Sequence, residues 1–223
     1  MCRCVRLVFA ALMFLCVLSS VVFAQSEVTV DSGYMHLQRF LDSLTSLQAS
    51  FTQTVRDSRD QVIDTSKGTL LIKRPGQFRW NYEQPNAQII VSNGERIWIY
   101  DSELAQVTIN RLDLSLNGTP AQLLSGQNKI RDTFEVEHVE QRADLLLINL
   151  APKSLNSDFK VVQFVLRKEQ LMGLSLTDKL GQITQLHFSE VKNNPKLPES
   201  QFIFIPPKGV DVIDNSGKAA KAK

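Results

Sequence analysis

The heptapeptide Gln77-Phe78-Arg79-Trp80-Asn81-Tyr82-Glu83 alternates polar and aromatic side chains without a break. Successive side chains of an extended chain point to opposite faces, so Phe78, Trp80 and Tyr82 share one face of a strand, with Arg79 and Asn81 on the other. The same period of two begins near residue 47 and recurs at 88–92, 96–101, 106–110, 133–140, 145–150, 159–167, 171–177 and 182–191. Phe51, Leu70, Ile72, Ile90, Ile97 and Ile99 repeat the aromatic stripe's character on neighbouring runs. Asn93-Gly94 lies between two runs and signals a hairpin, because both turn positions favour positive φ. The alternation predicts a sheet with one apolar face and one wet face.

A helical period stands out near the start of this pattern. Leu37, Phe40, Leu41 and Leu44 fall at i, i+3, i+4 and i+7, with Asp31 or Ser32 available as the N-cap. A second, short helix is predicted at 119–124, with Thr119 as cap and Pro120 in the first turn. About ten strands with two or three helices, and no repeat or Pro/Gly/Ser-rich linker, give one α+β domain: a long antiparallel sheet with helices gathered on one side.

The ends of the 223-residue chain read differently. Arg3 and Arg6, an apolar run over 7–23 and a small-residue site at Val22-Phe23-Ala24 predict a signal peptide cleaved after residue 24. No later run is long enough to span a membrane. The expected domain covers 25–214, and the Lys/Ala-rich stretch 215–223, without an apolar face, is expected to be a disordered basic tail. Cleavage removes two of 25 basic residues and none of 23 acidic ones, leaving a formally neutral chain with no charge stripe for nucleic acid. It also removes Cys2, Cys4 and Cys16, the only cysteines, so a packed core rather than disulfides must hold the fold. Cys16 follows Met13-Phe14-Leu15 in mid-run, which is no lipidation site.

Catalytic signatures are missing. His36, His138 and His187 have no metal-pair spacing, and the sequence contains no nucleophile elbow, phosphate loop or dinucleotide fingerprint. The expectation is a non-enzymatic protein with no cofactor, metal or catalytic residue. The apolar stripe itself has two readings, a closed core or a partly unfilled cavity beneath the helices. Both demand the same inward apolar residues, and alternation does not separate them.

An ordered set of short blocks resembles one known family. Phe51-Thr52-Gln53, Gly68-Thr69-Leu70, Lys73-Arg74-Pro75-Gly76-Gln77-Phe78-Arg79-Trp80, Gln84-Pro85, Ile90-Val91-Ser92-Asn93-Gly94, Trp98-Ile99-Tyr100-Asp101, Gly118-Thr119-Pro120 and the closing 202–210 run in the order of the periplasmic outer-membrane lipoprotein carriers, the LolA family. The resemblance implies an incomplete, half-open antiparallel β-barrel with an α-helical lid over a hydrophobic cavity that takes lipoprotein acyl chains. It implies that Arg74 latches lid to barrel through lid carbonyls, a task suited to the guanidinium's fork of donors. It places Phe78 near the cavity mouth, Leu41 and Leu124 on the lid, and Trp80 and Ile90 on the wall; Phe51, from the same stripe, joins them as an acyl-binding candidate.

The implied partners are acylated outer-membrane lipoproteins, an inner-membrane ABC transporter as donor (LolCDE) and an outer-membrane receptor as acceptor (LolB), with the carrier a periplasmic monomer. The alternative is a periplasmic lipid- or lipoprotein-sensing regulator of the same half-barrel fold. The acceptor shares the fold but is itself a lipoprotein, and the missing lipid-site cysteine argues against it.

Overall fold

The computed structural model describes residues 29–112, 119–126 and 130–217, so the expected signal peptide and residues 218–223 of the expected tail lie outside it. The chain opens with helix α1, Val30–Ser43, which buries Leu37, Phe40 and Leu41 along the predicted stripe. Its cap is Thr29 rather than Asp31 or Ser32: the Thr29 hydroxyl accepts from the Ser32 amide at 3.2 Å. Thr29 is the extended residue immediately before the first helical one, and only there does a short side chain reach back to an orphan N–H of the first turn.

Twelve strands follow. They are β1 (Ser46–Arg56), β2 (Val62–Lys73), β3 (Gln77–Gln84), β4 (Gln88–Asn93), β5 (Arg96–Asp101), β6 (Gln106–Arg111), β7 (Phe134–Arg142), β8 (Leu145–Pro152), β9 (Phe159–Arg167), β10 (Gln170–Asp178), β11 (Ile183–Asn193) and β12 (Asp211–Asp214). Among the described residues, two short helices, α2 (Pro120–Ser125) and α3 (Ile130–Thr133), sit between β6 and β7. All strands join one sheet in the order β12-β6-β5-β4-β3-β2-β1-β11-β10-β9-β8-β7. It is two meanders, β1 to β6 and β7 to β11, stitched together where β1 pairs with β11. The edge strands β12 and β7 are not neighbours, so the sheet is open. Every pairing but one is antiparallel; β12 lies parallel to β6, where the chain returns from across the sheet.

Two local expectations are corrected. The Asn93-Gly94 turn has positive φ at Gly94 (96°) but not at Asn93. The Asn93 carboxamide instead accepts from the amides of Glu95 and Arg96 at 3.0 and 2.9 Å, so its side chain closes a longer loop. Nor is the second sheet face wet throughout. Val91, Val107 and Ile109 are buried on it, outside the main core cluster, and so is Phe202 in the 3-10 turn Glu199–Phe202. Residues after β11 cross this face, where Phe204 packs on Tyr100 at 5.8 Å and Glu199 pairs with Lys73. The alternating pattern of β3 to β6 could not show this, since the covering segment comes from a hundred residues farther along the chain.

Candidate functional site

The other sheet face carries the main core, and register fixes its composition row by row. Leu47, Ile72, Phe78, Ser92 and Ile97 are aligned across β1 to β5. The next row is Ala49, Leu70, Trp80, Ile90 and Ile99, and the next Phe51, Gly68, Tyr82, Gln88 and Asp101. Gly68 is required in the third row, because a Cβ there would overlap the Asn81 carbonyl oxygen and press on the Phe51 ring. In its place Phe51 lies 5.1 Å from Trp80 and edge-on to Tyr82 at 5.3 Å, with Trp80 and Tyr82 stacked at 6.3 Å. Such pairs stabilise by about 0.5–1.5 kcal/mol beyond their area burial.

Between this aromatic wall and the start of α2 is a cavity of about 180 Å³, lined by Phe78, Trp80, Tyr82, Ile90, Ile97 and Ile99 from the sheet and by Thr119, Pro120 and Ala121 opposite. The lining is almost wholly apolar. Trp80 is 3% exposed, and its indole Nε1 has no hydrogen-bond partner among the described residues. Tyr82 at the rim donates its hydroxyl to Gln53 at 3.2 Å. Burial, reinforced by the Asp64 carboxylate and opposed by the Gln53 bond, pushes its pKa up to about 12.

Arg74, in the turn between β2 and β3, connects the helices to this wall. Its Nε donates to the Gly126 carbonyl at 2.9 Å, Nη2 donates to the same oxygen, and Nη1 donates to the Leu41 carbonyl. Leu41 lies in the last turn of α1, where its carbonyl also accepts from the Leu44 amide at 3.3 Å, and Gly126 lies just after α2, so both acceptors are carbonyls at helix ends. One guanidinium thereby joins two helices to the strand that leads into Phe78. Burial pulls its pKa below the usual arginine value, with Asp42 acting the other way, and the group remains a cation. The Gly76 amide adds a bond to the Ser125 carbonyl at 2.9 Å.

The structure brings Phe78, Trp80 and Ile90 into the cavity lining. Leu41, Phe51 and Leu124 are instead packed into the adjoining core cluster, and none of the three lines the cavity. The remaining lining residues, Tyr82, Ile97, Ile99, Thr119, Pro120 and Ala121, fall on the expected stripe or the expected 119–124 helix but were not assigned to the site from sequence. Their register opposite α2 is the missing information. No group of three or more metal-ligating side chains converges among the described residues, and no described helix is long and apolar enough to cross a membrane.

Comparison with known proteins gives a consistent picture. A family model described as outer membrane lipoprotein carrier protein LolA matches residues 42–205. The chain is 37% identical over 209 residues to an outer-membrane lipoprotein carrier protein of Nitrosomonas europaea, covering 93% of this chain and 98% of that one. It is 39% identical over 192 residues to the protein of the same name from Methylococcus capsulatus, covering 86% and 91%. Among solved structures, an uncharacterized conserved protein from Thermus thermophilus superposes with a TM-score of 0.51 at 16% identity, over 80% of this chain and 98% of that one, and so shares the fold.

Proposed function

This chain belongs to the outer membrane lipoprotein carrier family, LolA, and from that premise we propose that it shields the acyl chains of lipoproteins while they cross the periplasm. The observation that carries the reading is the apolar cavity between the Phe78–Trp80–Ile90 wall and α2, with α1 and α2 held over the sheet by Arg74. Burying one methylene gives about 0.8 kcal/mol, so an acyl chain of roughly 15 carbons left in water costs on the order of 12 kcal/mol. A carrier must remove most of that cost without binding so tightly that release stops.

The cavity's 180 Å³ is smaller than the roughly 300–1,000 Å³ typical of ligand sites. Loading therefore requires the helices to move away from the wall. The Arg74 bonds, each contributing about 1.5–3 kcal/mol because one partner is charged, set the closing energy that cargo must overcome. In this scheme acyl chains displace α1 and α2, the carrier travels open, and reclosure of the latch helps expel the chains. Leu41 and Leu124, packed on the sheet when the helices are down, become cavity walls when they lift. The donor is the inner-membrane ABC transporter LolCDE and the acceptor the outer-membrane receptor LolB. The protein contributes binding and no catalysis.

The test is loading from lipoprotein-bearing membranes followed by native intact-mass spectrometry. A one-to-one soluble complex is expected for the wild type and a loss of it for Ile90→Glu, which charges a partly buried wall position while circular dichroism stays native. A folded wild type that yields no soluble complex would overturn the proposal.

A further inference from the structure

The inner face of β1 to β5 is graded along the strands. The row at the Arg74 end is apolar except for Ser92, the Trp80 row is wholly apolar, and the Tyr82 row ends in Gln88 and Asp101. One step farther, Gln53 is aligned with Ser66, and the Ser66 hydroxyl donates to Asp64 at 2.8 Å. These residues surround a second pocket of about 320 Å³ lined by Gln53, Asp64, Ser66, Tyr82, Pro85, Asn86, Gln88 and Asp101. It meets the apolar cavity at Tyr82, which lines both. Its lining holds two carboxylates and no basic side chain.

Resting on the acyl-cavity reading above, we propose that this polar pocket is the headgroup subsite of the same cavity: it takes the neutral or cationic peptide end of an acylated chain and rejects the phosphate of a phospholipid. The chemistry requires such a device. Membrane phospholipids and lipoproteins carry the same hydrocarbon, and an apolar wall discriminates poorly between ligands whose apolar parts match. Discrimination has to come from the polar end, by attraction to one headgroup and repulsion of the other.

Asp64, Asp101 and the amide oxygens of Gln53 and Gln88 are acceptors suited to peptide N–H groups and to ammonium, and they face a phosphate with like charge. The field is already visible on Tyr82, whose phenol is held protonated partly by the Asp64 carboxylate. The unpaired Trp80 Nε1, one row deeper in the wall, is a second polar group with a bond left to make. It suits an acyl carbonyl at the junction between hydrocarbon and headgroup.

The experiment compares two competitors with identical acyl chains, a diacylated lipopeptide and phosphatidylglycerol, each displacing a fluorescent fatty-acyl probe at low salt. The proteins are the wild type and the Asp64→Asn, Asp101→Asn double variant. Asparagine keeps an acceptor oxygen for Ser66 and for the Glu103 and Leu104 amides that Asp101 caps, so the fold is preserved. The wild type is expected to prefer the lipopeptide. The double variant should lose about five- to tenfold of that preference, mostly through tighter phosphatidylglycerol binding, and salt should erode the wild-type preference in the same direction. A preference unchanged by both substitutions would overturn the subsite while leaving the carrier reading intact. Failure of both competitors to displace the probe would overturn the acyl cavity and the subsite together.

Discussion

Arg74 shows how much one side chain can organise. Its donors end on two carbonyls at the ends of different helices, and leucine, shorter and without a donor, satisfies neither. Arg74→Leu should keep the sheet intact, loosen helix docking by about 3–6 kcal/mol through the loss of charged bonds to two carbonyls, and still accept lipoprotein. Forward transfer should slow because reclosure no longer drives release. Delivery at the wild-type rate from preloaded variant to acceptor membranes would rule out the latch. Tyr82 gives a second residue-scale prediction. Its folded pKa is raised to about 12, against about 10 for an ordinary tyrosine, so above pH 10 the unfolded chain gives up this proton while the folded one retains it. The stabilisation is complete below the unfolded pKa and is lost as pH rises toward the folded one. Between about pH 9 and 12, urea unfolding should show the wild type losing about 2–3 kcal/mol more stability than Tyr82→Phe.

Among the elements, the segment after β11 does what no sequence period announces. It crosses the outer face, buries Phe202, and ends as β12 along β6, which would otherwise be an open edge. Phe202→Ala should therefore cost about 3–5 kcal/mol, as for other large buried aromatics. Hydrogen exchange should then quicken first in β6 and β12 while β8 to β10 hold, and uniform loosening would mean that the outer-face core is not a separate unit. By contrast, α1 was legible almost to the residue, because its stripe and its interior are set by local spacing. Its cap, expected at Asp31 or Ser32, was misplaced by two or three residues, since Thr29, Asp31 and Ser32 are all competent caps and the choice depends on where the helix docks.

Across the molecule, the cavity is smaller than its proposed cargo, so the helices and the sheet have different duties. The sheet is a continuous ladder from β6 to β7 through β1 and β11, and α2 contributes a single short turn and a half over the wall. Loading with an acylated peptide is expected to reduce amide protection in α2 and the last turn of α1 and to leave β8 to β10 unchanged, as read by hydrogen exchange with mass spectrometry. Protection that rises throughout would instead indicate a cavity that closes on its ligand.

The sequence by itself determined the strand and helix types, the shared face of Phe78, Trp80 and Tyr82, and the absence of a catalytic motif, since each depends only on side-chain chemistry and a period of two or about four. The ordered blocks around Arg74 and Phe78 carried the family resemblance as well. Only the tertiary structure decided that β1 pairs with β11, that β12 runs parallel to β6, and that Phe202 covers the outer face. It also decided that Trp80 and Ile90 line an unfilled space while Phe51, Leu41 and Leu124 pack solidly beside it. The physical reason is that a core position and a cavity wall ask for the same apolar side chain. What distinguishes them is the distance to the opposite layer, and that distance is fixed by contacts between residues far apart in the chain.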